Sequence, residues 1–583
     1  MKRLRPTSAL LMLLAIDFIW QLISLYLSVG ENPTLLALSG DSLEYWHMSD
    51  SILDGNLVQK QPFLSAPLYP YFIALLRALG LDIVGVMVVQ IVLRSATAWL
   101  ITACSKKLFD NAWLSFASAA SFLLLLEPAY FATRMVNSSL QLLLVAGVVF
   151  TFLRFRESQS ARRAVGYGGT VGLAILAHPP LLASVPFLAW QALRKSKQRQ
   201  SGLLVVFSMV LVTATATVHN AQATKDSPGG IEFIPVSAQA GVTFAHGNAP
   251  GSNGTYQPLE GVSANRLRQN SDAYEIVKQQ TGKEGWQHTS DFYMQQGLDY
   301  WASNPGAAVS LFFTKLRWLF AGDNYGDLFF INLEISDDAW PRPATPLNFI
   351  KVGWLLPLSL VGLIMLWRRR NPARLPLTLL FLSAAAVVVV FWYSPRYRLP
   401  LVPIAAIVTP WAIYSIGRSR NFITALLIAM PILIIEGSSA MDDFDPIDES
   451  MAGSFNLKTG LNYIELEQYE LAIPRFEYAI GHGQNKAVTH IALAESQVKI
   501  GTAFGQQGDI SAADLMFNAA IENYYTALEL NPSKDDARQS LVSVLEFMKR
   551  NPEANKVKYE GKRIKSQWSA LAVSSNLGSK SKG

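Results

Sequence analysis

Apolar residues run in long, nearly unbroken stretches from the N-terminus to about Glu436, and only beyond that point do they fall into the interrupted spacing of amphipathic helices. A helix needs about 20 apolar residues to cross the hydrocarbon core of a bilayer. The pattern predicts spans at 7–29, 83–104, 111–127, 138–153, 161–177, 180–193, 202–219, 346–367, 375–393, 399–416 and 421–436. Several are short, which calls for tilt or pairing in hairpins. The predicted fold class is mainly α, a polytopic membrane helical bundle of about 11 spans in a domain over 1–437, followed by a helical repeat domain. Residues 30–82, residues 220–345 and everything after 437 lie outside the spans.

Charge then orients the bundle. Cytoplasmic connections are enriched in Lys and Arg. Lys2, Arg3 and Arg5 precede the first span, and clusters at 106–107, 154–163, 194–199, 368–374 and 418–420 follow on alternate connections, 19 cations in all. The short connections on the other face hold Lys60, Arg77, Arg134, Arg396 and Arg398. The N-terminus is expected in the cytoplasm, and the long loops and the C-terminal region outside it, in a multi-pass protein of the plasma (bacterial inner) membrane. The first run follows a basic start, as a signal peptide does, but it is long and no A-x-A site follows, so it is expected to stay as an anchor. Its Asp17 is an intramembrane acid, either functional or bonded to a neighbouring helix.

Composition narrows the class. Of 583 residues 50% are hydrophobic and 16% charged, against about 25% charged in soluble domains. That excludes an ordinary cytosolic enzyme and a disordered chain. The single cysteine, Cys104, excludes a disulfide scaffold and a cysteine metal cluster. A net charge of +6 gives no footprint for nucleic acid.

After an acidic linker at 438–453, residues 454–550 repeat a pattern. Gly460, Ala472, Phe476 and Ala479 recur as Gly501, Ala513, Phe517 and Ala520, with 12 residues from glycine to alanine and four from alanine to aromatic. This is the spacing of tetratricopeptide-type repeats, in which small residues let two helices approach. The glycine-to-glycine period is 41, so an insertion separates the two units. Such repeats hold partners or simply stack, and carry no chemistry. The Lys- and Ser-rich stretch 551–583 is expected to be a flexible tail.

The first external loop carries the sharpest chemistry: Gly40-Asp41-Ser42-Leu43-Glu44-Tyr45, then Asp54-Gly55, then Ala66-Pro67-Leu68-Tyr69-Pro70. Asp41 and Tyr45 share a helix face. A carboxylate at the lipid–water boundary is what a transferase with a lipid-linked donor needs, because it can take the proton of an attacking hydroxyl. The local alternative is a helix N-cap at Asp41 with Glu44 completing a capping box. In the second loop, Lys315 and Arg317 on an apolar stretch are candidates to meet headgroup phosphate or to snorkel from a surface helix. That loop has no HExxH, no G-x-S-x-G, no P-loop and no clustered metal ligands, so no cofactor is predicted from it beyond a lipid-linked sugar donor, and a divalent metal stays open.

The order of these motifs resembles the polytopic GT-C glycosyltransferases of the family 39 type, which include protein O-mannosyltransferases and the aminoarabinose transferases of lipid A. Other stretches agree. Gly172 to His178-Pro179 is similar to a Gly-Leu-Ala-x-Leu-x-Arg-Pro turn, His219-Asn220 and Gly241 to Asn248 to the opening of the second large loop, and Pro395-Arg396-Tyr397-Arg398-Leu399-Pro400 to a late Arg-Tyr-x-x-Pro segment. The resemblance covers roughly residues 1–436. It implies inverting transfer of a sugar from a polyprenyl phosphate to an extracytoplasmic lipid, glycan or protein acceptor, with Asp41 as the catalytic acid residue serving as general base. Arg396 and Arg398 are then placed to pair with donor phosphate, and Tyr45 and Tyr69 to line the substrate groove. The chain departs from the pattern twice. No acid stands near the start of the fourth span, leaving Glu127 and Glu44 as substitutes, and His178 replaces the usual arginine. Two other readings compete: an O-antigen ligase or polymerase using late-loop residues, and a non-catalytic membrane scaffold whose repeats recruit partners.

Overall fold

The computed structural model describes residues 5–195, 199–263, 265–322, 329, 331–336, 349–417, 444, 447, 449 and 451–560. Among them regular structure is helical, and strand-like pairing is confined to one bridge between Leu125 and Ile350. Five helices are long and apolar enough to cross a membrane: Pro6–Gly30, Ile83–Phe109, Ser138–Glu157, Arg199–Thr224 and the segment Pro395–Gly417. Shorter apolar helices accompany them at Ala112–Leu123, Val352–Arg368 and Arg374–Val390, with a further helix at Ala161–Ala177. The predicted span at 421–436 and most of the acidic linker lie outside the described residues.

Two predicted spans are interrupted for identifiable reasons. The run at 111–127 breaks after Leu123, where the Leu126 N–H donates to the Ile350 carbonyl and the Ile350 N–H donates to Leu124. A second helix, Leu126–Ala132, then starts in a new direction. The run at 180–193 opens as a tight 3₁₀ turn, Pro179–Ser184, before Val185–Lys195. Two adjacent prolines lack the N–H groups an α-helix would use there. Proline has the same effect at Pro395–Leu401, which precedes helix Val402–Gly417.

Close packing is set by small residues. On helix Ala161–Ala177, Gly168 and Gly172 face helix Arg199–Thr224 so closely that a methyl group at Gly168 would lie 2.1 Å from the Val205 carbonyl oxygen. Small residues four apart are the usual device for helix contact in lipid, where no hydrophobic gradient drives association. Asp17 is settled as a bundle-facing acid: it is ion-paired to Arg94 of helix Ile83–Phe109, whose other amino group donates to the Leu123 carbonyl at 2.6 Å. Leu11, Ile16, Ile19 and Ile23 of the first helix are exposed, as befits a lipid-facing surface.

Two compact units result, one made of 1–31 and 38–444, the other of 445–583 with the short stretch Asn32–Ala37. In the second, helices at 451–465 and Tyr469–Gly481 form one antiparallel pair, and Ala487–Gln507 and Ile510–Leu530 another. Phe476 packs against Gly460 and Phe517 against Gly501, and Ala472, Ala479, Ala513 and Ala520 are buried. The extra residues of the second unit lengthen the helix ahead of Gly501 rather than forming a loop. Of the stretch 551–583 expected to be a flexible tail, only 551–560 fall within the described residues. Residues 551–560 are helical, because Ala554 and Val557 bury themselves against Leu541, Leu545 and Tyr524.

Candidate active site

The loops at 30–82 and 220–345 are tied together by a motif at the end of helix Arg199–Thr224. The Asn220 amide donates to the Ile234 and Val236 carbonyls of the second loop, and its oxygen accepts from the Phe63 N–H of the first at 2.8 Å. His219 stacks on the Phe63 ring, 3.8 Å between centroids, and its Nε2 accepts from the Gln59 N–H. Loop one is thereby held against loop two.

That contact brings four charges together. Helix Asp41–Leu53 begins after Gly40, whose φ of 57° suits glycine, and Asp41 and Glu44 both lie in its first turn. Neither side chain caps the helix. The capping-box alternative is overturned, because guanidinium groups offer these carboxylates a stronger partner than the backbone. Asp41 Oδ2 accepts from Arg396 Nη1 at 2.8 Å, while Asp41 Oδ1 and Glu44 Oε2 lie 2.9 Å and 3.0 Å from Arg266 Nε. The cluster is partly open: 21% of the Asp41 side chain remains exposed. Arg396 also lies over the Phe329 ring at 4.9 Å.

Arg266 is fixed from behind. Its two amino groups donate to Gln269 Oε1 and Gln239 Oε1 at 3.2 Å and 3.1 Å. The Gln269 amide in turn lies 2.6 Å from His246 Nε2, and His246 Nδ1 lies 2.7 Å from the Gln257 carbonyl. A donating amide on one side and a carbonyl on the other select neutral His246 with its proton on Nδ1. Burial, which outweighs the bond to Gln257, lowers its pKa to about 4.

The two carboxylates are driven apart electrostatically. Burial would raise Asp41, but Arg396 and Arg266 outweigh it and hold the group below the ordinary aspartate range. Burial raises Glu44, Arg266 opposes, and the Asp41 charge adds to the rise. Neighbouring acids separated in this way suit different proton-transfer roles. Tyr45 packs edge-on against Tyr69, 4.9 Å between centroids, and burial, Asp41 and Glu44 all hold its hydroxyl protonated.

Not every expected residue joins. Arg398 is fully buried, pairs with Glu127 at 3.1 Å and donates to the Ala321 carbonyl; Glu127 accepts from the Val352 N–H at 3.1 Å. This pair pins the late segment to the start of helix Val352–Arg368, and both side chains are turned to each other in the interior rather than to Asp41. Tyr69 is also interior. Its hydroxyl donates to Gln90, which donates to the Arg134 and Ala132 carbonyls. His178 is buried at the turn where the resemblance expects arginine. Lys315 meets no headgroup: it is 1% exposed and donates to Gly247, Asn248 and Phe391 oxygens at 2.9 Å, 2.8 Å and 2.6 Å.

The residue missed in the sequence is Arg266. Arg266, Gln269, Asn270, Ala273 and Val277 fall at helical spacing on the inward face of helix Arg266–Thr281, whereas Arg268 is exposed. That spacing was the available signal.

Comparison with known proteins now bears on the site. Residues 60–219 match the dolichyl-phosphate-mannose-protein mannosyltransferase family. The match bears out the glycosyltransferase resemblance of the membrane helices, and it lies between Asp41 and Arg266 in sequence, covering neither. No curated protein matches the chain. Among solved structures, the apo oligosaccharyltransferase of Archaeoglobus fulgidus is similar at 11% identity and a TM-score of 0.38, over 75% of this chain and 56% of that one. The oligosaccharyltransferase AglB of the same organism, in complex with an inhibitory peptide and a dolichol-phosphate, is similar at 12% identity and a TM-score of 0.35, over 81% and 59%. The chain thus spans less than two thirds of the length of these structures.

Proposed function

We propose that this protein is an extracytoplasmic-facing membrane glycosyltransferase that moves a sugar from a polyprenyl-phosphate donor to a hydroxyl acceptor with inversion. The supporting observation is the partly open cluster at the mouth of the bundle, in which an ionised Asp41 is aimed by Arg266 and Arg396 beside a carboxyl raised in pKa. In the reaction, Asp41 takes the acceptor O–H proton as the oxygen attacks the anomeric carbon. The bond from that carbon to the phosphate oxygen breaks, and the polyprenyl phosphate leaves with the electron pair. Arg396 is placed to bear the negative charge that grows on phosphate. Glu44 shares Arg266 with Asp41 and is placed to receive the proton onward, and Tyr45 walls the cluster. The acceptor is a lipid, glycan or protein, and residues 454–550 serve as a repeat module that holds an acceptor or partner.

The test is turnover of lipid-linked sugar by purified protein. Asp41→Asn keeps the shape and loses the base, and transfer should fall by about 10²–10⁴-fold, the usual worth of a positioned base. Retention of a tenth or more of the activity would move the chemistry elsewhere.

A further inference from the structure

Among the described residues, two carboxylates of the cluster face two guanidinium groups. Asp41 and Glu44 oppose Arg266 and Arg396, and both faces of the ion-pair set are intramolecular. In a partly buried ion-pair set, an incoming phosphate gains a guanidinium as a carboxylate loses it. The two arginines are not equivalent in this exchange. Arg266 is held in place by Gln239, Gln269 and, through Gln269, by His246. Arg396 donates to Asp41 from a proline-bounded 3₁₀ turn, and its guanidinium carbon lies over the Phe329 and Tyr397 rings. A guanidinium on an aromatic face keeps that contact while its donors change partner.

We propose that Asp41 occupies the phosphate seat of the empty enzyme, and that an isoprenoid phosphate enters by taking Arg396 from it. This rests on the reading above and adds an order of events. While both arginines bind it, Asp41 is a weakened base. Once Arg396 turns to phosphate, the carboxylate keeps Arg266 alone, its proton affinity rises, and it becomes a competent base only beside a bound donor. Water or a stray hydroxyl finds no active base in the empty site.

The exchange makes a prediction that a merely structural pair does not. Removing the competing carboxylate should tighten donor binding while abolishing transfer. With farnesyl phosphate as the probe and the detergent-solubilised full chain, Asp41→Asn should bind roughly tenfold more tightly than the parent, a factor equal to about 1.4 kcal/mol. Glu44→Gln should shift affinity in the same direction by less, and serves if Asp41→Asn fails to fold. Arg396→Gln should lose binding. Inorganic phosphate is the second arm, and its affinity should stay weak in every variant. Equal or weaker farnesyl phosphate binding by both carboxylate variants, with the parent binding normally, overturns the exchange and leaves the glycosyltransferase reading standing. Equal tightening toward inorganic phosphate overturns the isoprenoid assignment. No binding by the parent or any variant overturns this inference and the donor reading together.

Discussion

Arg266 is aimed by groups that never reach the opening of the site, and His246 is the most testable of them. Buried and neutral, with a pKa of about 4 against an ordinary 6.5, it refuses a proton that the unfolded chain accepts between those values. Stability from this group is therefore complete above pH 6.5 and falls as pH drops toward 4, by up to about 1.4 kcal/mol per pH unit. His246→Gln should remove that increment, so thermal unfolding followed from pH 7 to pH 4.5 should show a shallower decline for the variant. Parallel profiles would mean that His246 carries no proton linkage. Asp41 and Arg396 were legible in the sequence because unusual types sat in recognisable short motifs. Arg266 was not, because the two acids it meets lie 225 and 222 residues before it and its own helix is polar on most sides. Arg398 illustrates the opposite failure: two residues from Arg396, in the same motif, it turns inward to Glu127.

Among elements, the end of helix Arg199–Thr224 does the joining. Asn220 satisfies two carbonyls and one N–H that the loops would otherwise bury unpartnered. Asn220→Ala should cost about 3 kcal/mol or more, since it strands three buried groups at about 1–3 kcal/mol each. Thermal unfolding in detergent reads this, and an unchanged melting temperature would show that the loops hold together by other means. Most apolar helices stood close to their expected positions because lipid-facing runs need continuous hydrophobicity. The breaks at Leu124 and before Val185 were harder to see. One depends on pairing with Ile350, far along the chain, and the other on paired prolines inside a run that hydropathy alone counts as continuous.

At the scale of the whole molecule, the alternation of basic connections predicts an orientation that reporter fusions can check. Fusions after Arg199 and Arg370 should report cytoplasm and one after Gly453 the opposite side; a cytoplasmic signal at Gly453 would reverse the placement of the C-terminal helices. The reach of the Asp41–Arg396 contact has a further consequence. Its two residues are 355 positions apart, and at the usual 5–20 residues per second a ribosome needs roughly 20–70 s to deliver the second after the first. Throughout that interval the nascent loop carries acids whose late counter-ion has yet to be made. The proposed catalytic centre is thus completed late in synthesis, and an interrupted chain, however well its early helices have settled, is born without it.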